Sequence, residues 1–136
     1  MTYQDLNEKA SERISSVPIF WAFNKSQFEE GCKKLGVQVP EEELNSTGAG
    51  GFIKKTDVSL WNDALEANEK AREEFLNDMN NLEDAFTYEL GNHEYIITYN
   101  DAEAWQAVGL SLVESTKEQR EAFCVARTNY LASASY

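Results

Sequence analysis

Only twelve of the 136 residues are basic against twenty-four acidic, there is one histidine, and cysteine and proline number two each. Each scarcity excludes something. A net charge of −12 excludes a generic nucleic-acid backbone binder, because neutralising phosphates takes a surplus of Lys and Arg. It argues equally against a peripheral protein held on anionic membranes. No apolar run approaches the roughly 20 residues that a membrane span requires, and the opening stretch, Met1 to Ile14, lacks the apolar segment of a signal peptide. Cys32 and Cys124 stand alone, without CxxC spacing, so neither a disulfide framework nor a zinc knuckle is indicated. Two reduced thiols in a cytosolic chain are the expectation. Any imidazole-based metal site or general base has to use His93. A zinc site needs three or four ligands, and neither HExxH nor CxxC is present. No cofactor and no metal are expected.

What is abundant is material for a core. Hydrophobic residues make up 42% and aromatics 12%, more than a disordered chain carries. The length suits one compact domain, residues 1–136, that buries about two thirds of the surface its unfolded chain exposes.

The pattern along the chain is mostly helical. Leu6, Ala10 and Ile14 recur every four residues in a first helix from Tyr3 to Ile14. Val17 to Phe23 is a dense apolar run that reads as a strand, with Pro18 at its start or on an edge. Ser26 and Glu29 have capping-box spacing and open a helix to Leu35, closed by Gly36. Residues 36–51 read as loop, followed by a short strand from Phe52 to Lys55. Thr56 is the expected N-cap of a long helix reaching Met79. Trp61, Leu65, Asn68, Arg72, Phe75 and Met79 form its inward stripe. A further helix carries Leu82, Phe86 and Leu90, and Glu94 to Tyr99 reads as a strand on its aromatic and branched residues. Short helix 101–108 and a last helix, 117–131, complete an α+β domain, mostly helical, with a small sheet of about three short strands.

The charge is not evenly spread. Residues 1–56 carry eight acids and seven bases, and residues 104–136 three of each, whereas residues 57–103 hold thirteen acids against Lys70 and Arg72. Asp63, Glu66, Glu73 and Glu74 fall on the side of the long helix away from its apolar stripe, with Lys70 among them. One reading is a solvated, solubilising face. The other is a surface that meets a strongly basic partner protein, speeding association by electrostatic steering and weakening with salt.

Other constellations are weaker. Gly48, Gly50 and Gly51 precede Lys54 and Lys55, but Phe52 stands where the Walker pattern needs lysine and Ile53 where the dinucleotide pattern needs glycine. An anion, such as a nucleotide, held by this turn and the two lysines is one reading; a tight turn against the core is the other. His93 continues the row Leu82, Phe86, Leu90 and reads as a helix-end histidine. Cys32 shares a face with Phe28 and Leu35, as a buried small hydrophobe does, so cysteine catalysis is not expected. Trp21, Phe23, Trp61, Tyr95, Tyr99 and Trp105 are core candidates, or anchors for a protein partner where they reach the surface.

Four stretches carry a resemblance: Phe20–Gly31 (Phe-Trp-Ala-Phe-Asn-Lys-Ser-Gln-Phe-Glu-Glu-Gly), Gly48–Lys55 (Gly-Ala-Gly-Gly-Phe-Ile-Lys-Lys), Tyr88–Asp101 around Gly91-Asn-His-Glu94, and Val108–Leu112. In this order the chain resembles a family of small uncharacterised proteins from bacteriophages and bacterial mobile elements. The resemblance implies no catalytic residues. It implies a bacterial-host setting and, by analogy, an accessory protein that inhibits a nuclease or another defence protein. The leading expectation is therefore a non-enzymatic protein that binds a basic surface of a host protein through Asp63, Glu66, Glu73 and Glu74. The alternatives are a binder of anionic small ligands at the glycine turn and a homo-oligomeric structural component.

Overall fold

The computed structural model describes residues 1–134. In chain order the elements are α1 (Tyr3–Ser15), β1 (Ile19–Trp21), α2 (Lys25–Leu35), α3 (Pro40–Glu43), β2 (Leu44–Gly48), β3 (Gly51–Lys54), a 3₁₀ turn (Lys55–Asp57), α4 (Val58–Leu76), α5 (Met79–Asn92), α6 (Tyr95–Thr98), α7 (Asp101–Val108) and α8 (Lys117–Ser133). The fold is α+β, mostly helical, with one antiparallel three-stranded sheet in the order β1-β3-β2. The chain forms two compact units: Met1–Asn7 with the chain from Ala71 onward, and Glu8–Lys70. The divisions fall within α1 and α4.

The first unit is helical. On α5, Leu82, Phe86 and Leu90 are fully buried, as their four-residue spacing demands of an inward stripe. Phe86 meets Trp105 of α7 at 4.7 Å and Phe123 of α8 at 5.0 Å between ring centroids. Such tilted pairs add to the burial energy of the rings themselves. The Arg72 side chain donates to the Val108 carbonyl at 2.6 Å, which satisfies a free carbonyl at the end of α7. α8 opens on a capping box of Thr116 and Gln119, each side chain accepting from the other residue's amide.

The second unit holds the sheet. Phe20 of β1 and Phe52 of β3 face each other in register and stack at 5.5 Å, and Phe28 of α2 lies edge-on to Phe52 at 5.0 Å. Cys32, Val37 and Leu44 complete this core. A Cβ on Gly31 would lie 2.1 Å from the Phe20 ring, so only glycine lets α2 approach β1 this closely. At the other side of the unit, Asn68 of α4 accepts from Arg13 at 2.9 Å and donates to the Ala10 carbonyl at 3.2 Å. That explains a polar residue on the helix's inward stripe.

Several expectations require correction. Residues 94–99 are not a strand: Tyr95–Thr98 form one helical turn between Glu94 and Tyr99, both left-handed at φ 52° and 50°. The Tyr95 ring is buried against Tyr130, and its hydroxyl donates to Asp101 at 2.6 Å, contacts that outweigh the β-preference of the segment. The third strand is instead β2, inside the supposed loop. The cap of α2 lies two residues before Ser26: Asn24 accepts from the Gln27 amide, and the Gln27 side chain accepts from the Phe23 amide. α4 starts at Val58, after a 3₁₀ turn containing Thr56. Leu65 is 43% exposed rather than inward.

Candidate functional site

α4 is a good helix for displaying charge. At 3.6 residues per turn, Asp63, Glu66, Glu73 and Glu74 fall within an arc of about 100°, with Lys70 on the same arc. All four carboxylates are exposed. Among the described residues none of them takes part in an ion pair or a side-chain hydrogen bond, unlike Glu29 and Glu121, which pair with Lys25 and Lys117 four residues away. Lys70 is the one cation on this arc, so four carboxylates face solvent there against one ammonium. The wider setting is also acidic: the unit containing Glu73 and Glu74 carries thirteen acids and four bases, the other eleven acids and eight bases.

The glycine stretch is a hairpin turn. Ala49 and Gly50 join β2 to β3 as a two-residue loop with φ of 50° and 86°, the positive pair of a type I′ turn. Thr47 is the extra residue of a bulge between the Ser46–Phe52 and Gly48–Gly51 pairs. Gly50 also lies beneath the Phe23 ring, where a Cβ would come within 2.5 Å. The structure does not gather the turn and the lysines into one cradle. Gly48, Gly50 and Gly51 sit at one end of β3, Lys54 at the other, and Lys55 in the 3₁₀ turn beyond it.

His93 caps the end of α5 and is half-buried. Its Nε2 lies 3.3 Å from Glu89 and its Nδ1 3.9 Å from Glu103. Glu89 is buried and also accepts from the Tyr3 hydroxyl at 3.0 Å. Burial, and then the Glu89 carboxylate, raise the pKa of Tyr3 above its ordinary value. Among the described residues no three His, Cys, Asp or Glu side chains are grouped to hold a metal ion. Both cysteines are free, Cys32 buried and Cys124 exposed. Burial, with Glu43 and Glu29 nearby, pushes the Cys32 thiol up, away from the thiolate that nucleophilic chemistry needs.

The aromatic candidates divide. Trp105 and Tyr95 are core, while Trp21, Phe23 and Tyr99 are 47%, 76% and 62% exposed. Trp61 is half-buried and borders a cavity of about 310 Å³ lined also by Asn45, Ser46, Thr47, Ile53, Val58 and Asn62. This polar cavity was not visible in the sequence because its lining comes from a segment that reads as loop.

A family model matches residues 2–128, and its description is a family of unknown function, DUF7659. The chain belongs to DUF7659. No curated protein and no solved structure matches it. The DUF7659 match takes in the four α4 carboxylates, the hairpin turn, His93 and both cysteines.

Proposed function

We propose that this member of DUF7659 is a non-enzymatic binding protein, an accessory protein of a phage or mobile element, whose α4 face engages a basic surface of a host protein. The observation that carries the reading is the set of exposed carboxylates of Asp63, Glu66, Glu73 and Glu74, none of them in an ion pair among the described residues. Carboxylates displayed along one helix present negative charge to a cationic groove, such as one built to hold nucleic acid. That charge steers encounter and fixes orientation. Exposed Trp21 and Phe23 in one unit and Tyr99 in the other are apolar anchors of the kind that carry binding energy.

The bacterial cytoplasm is the setting this reading requires. No helix among the described residues is long and apolar enough to cross a membrane. The test is retention of bacterial proteins on the immobilised chain at low and at high salt. A basic protein held at low salt and released at high salt supports the proposal. No retained protein, or one indifferent to salt, removes it.

A further inference from the structure

The geometry points to a binding site for a neutral saccharide in the cavity between the β2–β3 hairpin and the start of α4, apart from the acidic face. The cavity lies wholly within the Glu8–Lys70 unit. Asn45 stands directly opposite Ile53 in the antiparallel register, so both side chains project from the same sheet face. Ile53 is almost fully buried and forms the apolar floor. Trp61 and Asn62, in the first turns of α4, supply the opposite wall.

Gly51 shapes one end of this region. A Cβ there would lie 2.1 Å from the Thr47 hydroxyl and 2.8 Å from the Trp21 ring. The missing side chain thus lets a hydroxyl and an indole share that corner.

The lining decides the class of ligand. It is polar at Asn45, Thr47 and Asn62, apolar at Ile53 and Val58 and aromatic at Trp61, with no charged side chain. Among the described residues the Asn45 and Asn62 amides have no hydrogen-bond partner, so each offers both donors and acceptors. A phosphate or carboxylate would find no cation here. A hydroxylated ring, with apolar C–H groups on one face and hydroxyls around its edge, matches an indole wall and a polar rim together. The volume, about 310 Å³, lies at the small end of ligand pockets and suits a single ring.

The test is an NMR titration of the full chain, following the Trp61 indole N–H and the Asn45 and Asn62 side-chain amides. Probes are D-glucose, D-galactose, N-acetyl-D-glucosamine, glucose 6-phosphate, adenosine and uridine. The expected result is a saturable shift of these three groups with at least one neutral sugar. Asn62→Ala should weaken it by about tenfold, the loss of one or two polar contacts, while leaving the rest of the spectrum unchanged. No response to any sugar overturns the inference. So does a response to the nucleosides alone, tighter binding of glucose 6-phosphate than of glucose, or sugar binding that Asn62→Ala and Asn45→Ala both leave intact.

Discussion

The Tyr3 hydroxyl donates to Oε1 of Glu89 at 3.0 Å, tying the first turn of α1 to α5 across 86 positions of sequence. Glu89 is a buried carboxylate that accepts this bond and has the His93 Nε2 3.3 Å from its other oxygen. A buried charge with few partners makes each partner expensive to remove.

Tyr3→Phe should therefore cost about 1.5–3 kcal/mol, the range for a hydrogen bond to a charged group, measured by urea unfolding at neutral pH. It should also change the alkaline limb of stability. The pKa values of Tyr3 and Tyr95 are both raised, in each case first by burial. The unfolded chain ionises near pH 10 while the folded chain keeps these protons to higher pH. Stability is then complete below about pH 10 and falls as pH climbs through the folded values. Tyr3→Phe should shrink that alkaline loss without abolishing it, since Tyr95 remains. An unchanged limb would contradict the assignment.

Gly31→Ala sets two effects of opposite sign against each other. Helix propensity favours alanine by about 1 kcal/mol in a helix interior. The new methyl would lie 2.1 Å from the Phe20 ring, and overpacking of this kind costs about 1–3 kcal/mol. Net destabilisation is expected in thermal unfolding, and Phe20→Leu in the same chain should recover part of it. A more stable single variant would show that the contact between α2 and β1 is looser than described.

The position of the α2 cap can be checked by a pair of substitutions. Asn24→Ala should cost about 1 kcal/mol, because it leaves the Gln27 amide without its acceptor. Ser26→Ala should stay within about 0.5 kcal/mol, as exposed changes away from caps do. The reverse order of effects would restore Ser26 as the cap.

Local chemistry made much of this fold legible. Leu82, Phe86 and Leu90 on α5, the Gly36 and Gly109 helix ends, and Asn100 before α7 all behave as their spacing and side chains dictate. The errors came where tertiary contacts decide. Tyr95, Ile96 and Ile97 have strand-like side chains, yet the burial of Tyr95 against Tyr130 and its bond to Asp101 hold a helical turn. β2 was hidden because Asn45, Ser46 and Thr47 lack apolar alternation, and Thr47 is the bulge residue that no partner faces. The acidic face of α4 was legible from period and charge together. The cavity beside it depended on the β2–β3 register, which no local pattern specifies.

The central claim is that the α4 carboxylates carry partner binding, and the most direct measurement compares the native chain with Asp63→Asn/Glu66→Gln/Glu73→Gln/Glu74→Gln. Both are immobilised side by side and challenged with bacterial lysate at low salt, with circular dichroism to confirm that the variant keeps its helices. All four positions are exposed, so folding should survive. The expected result is a basic protein retained by the native chain, released by salt, and absent from the neutralised variant. Equal retention by both chains, or none by either, would contradict the account.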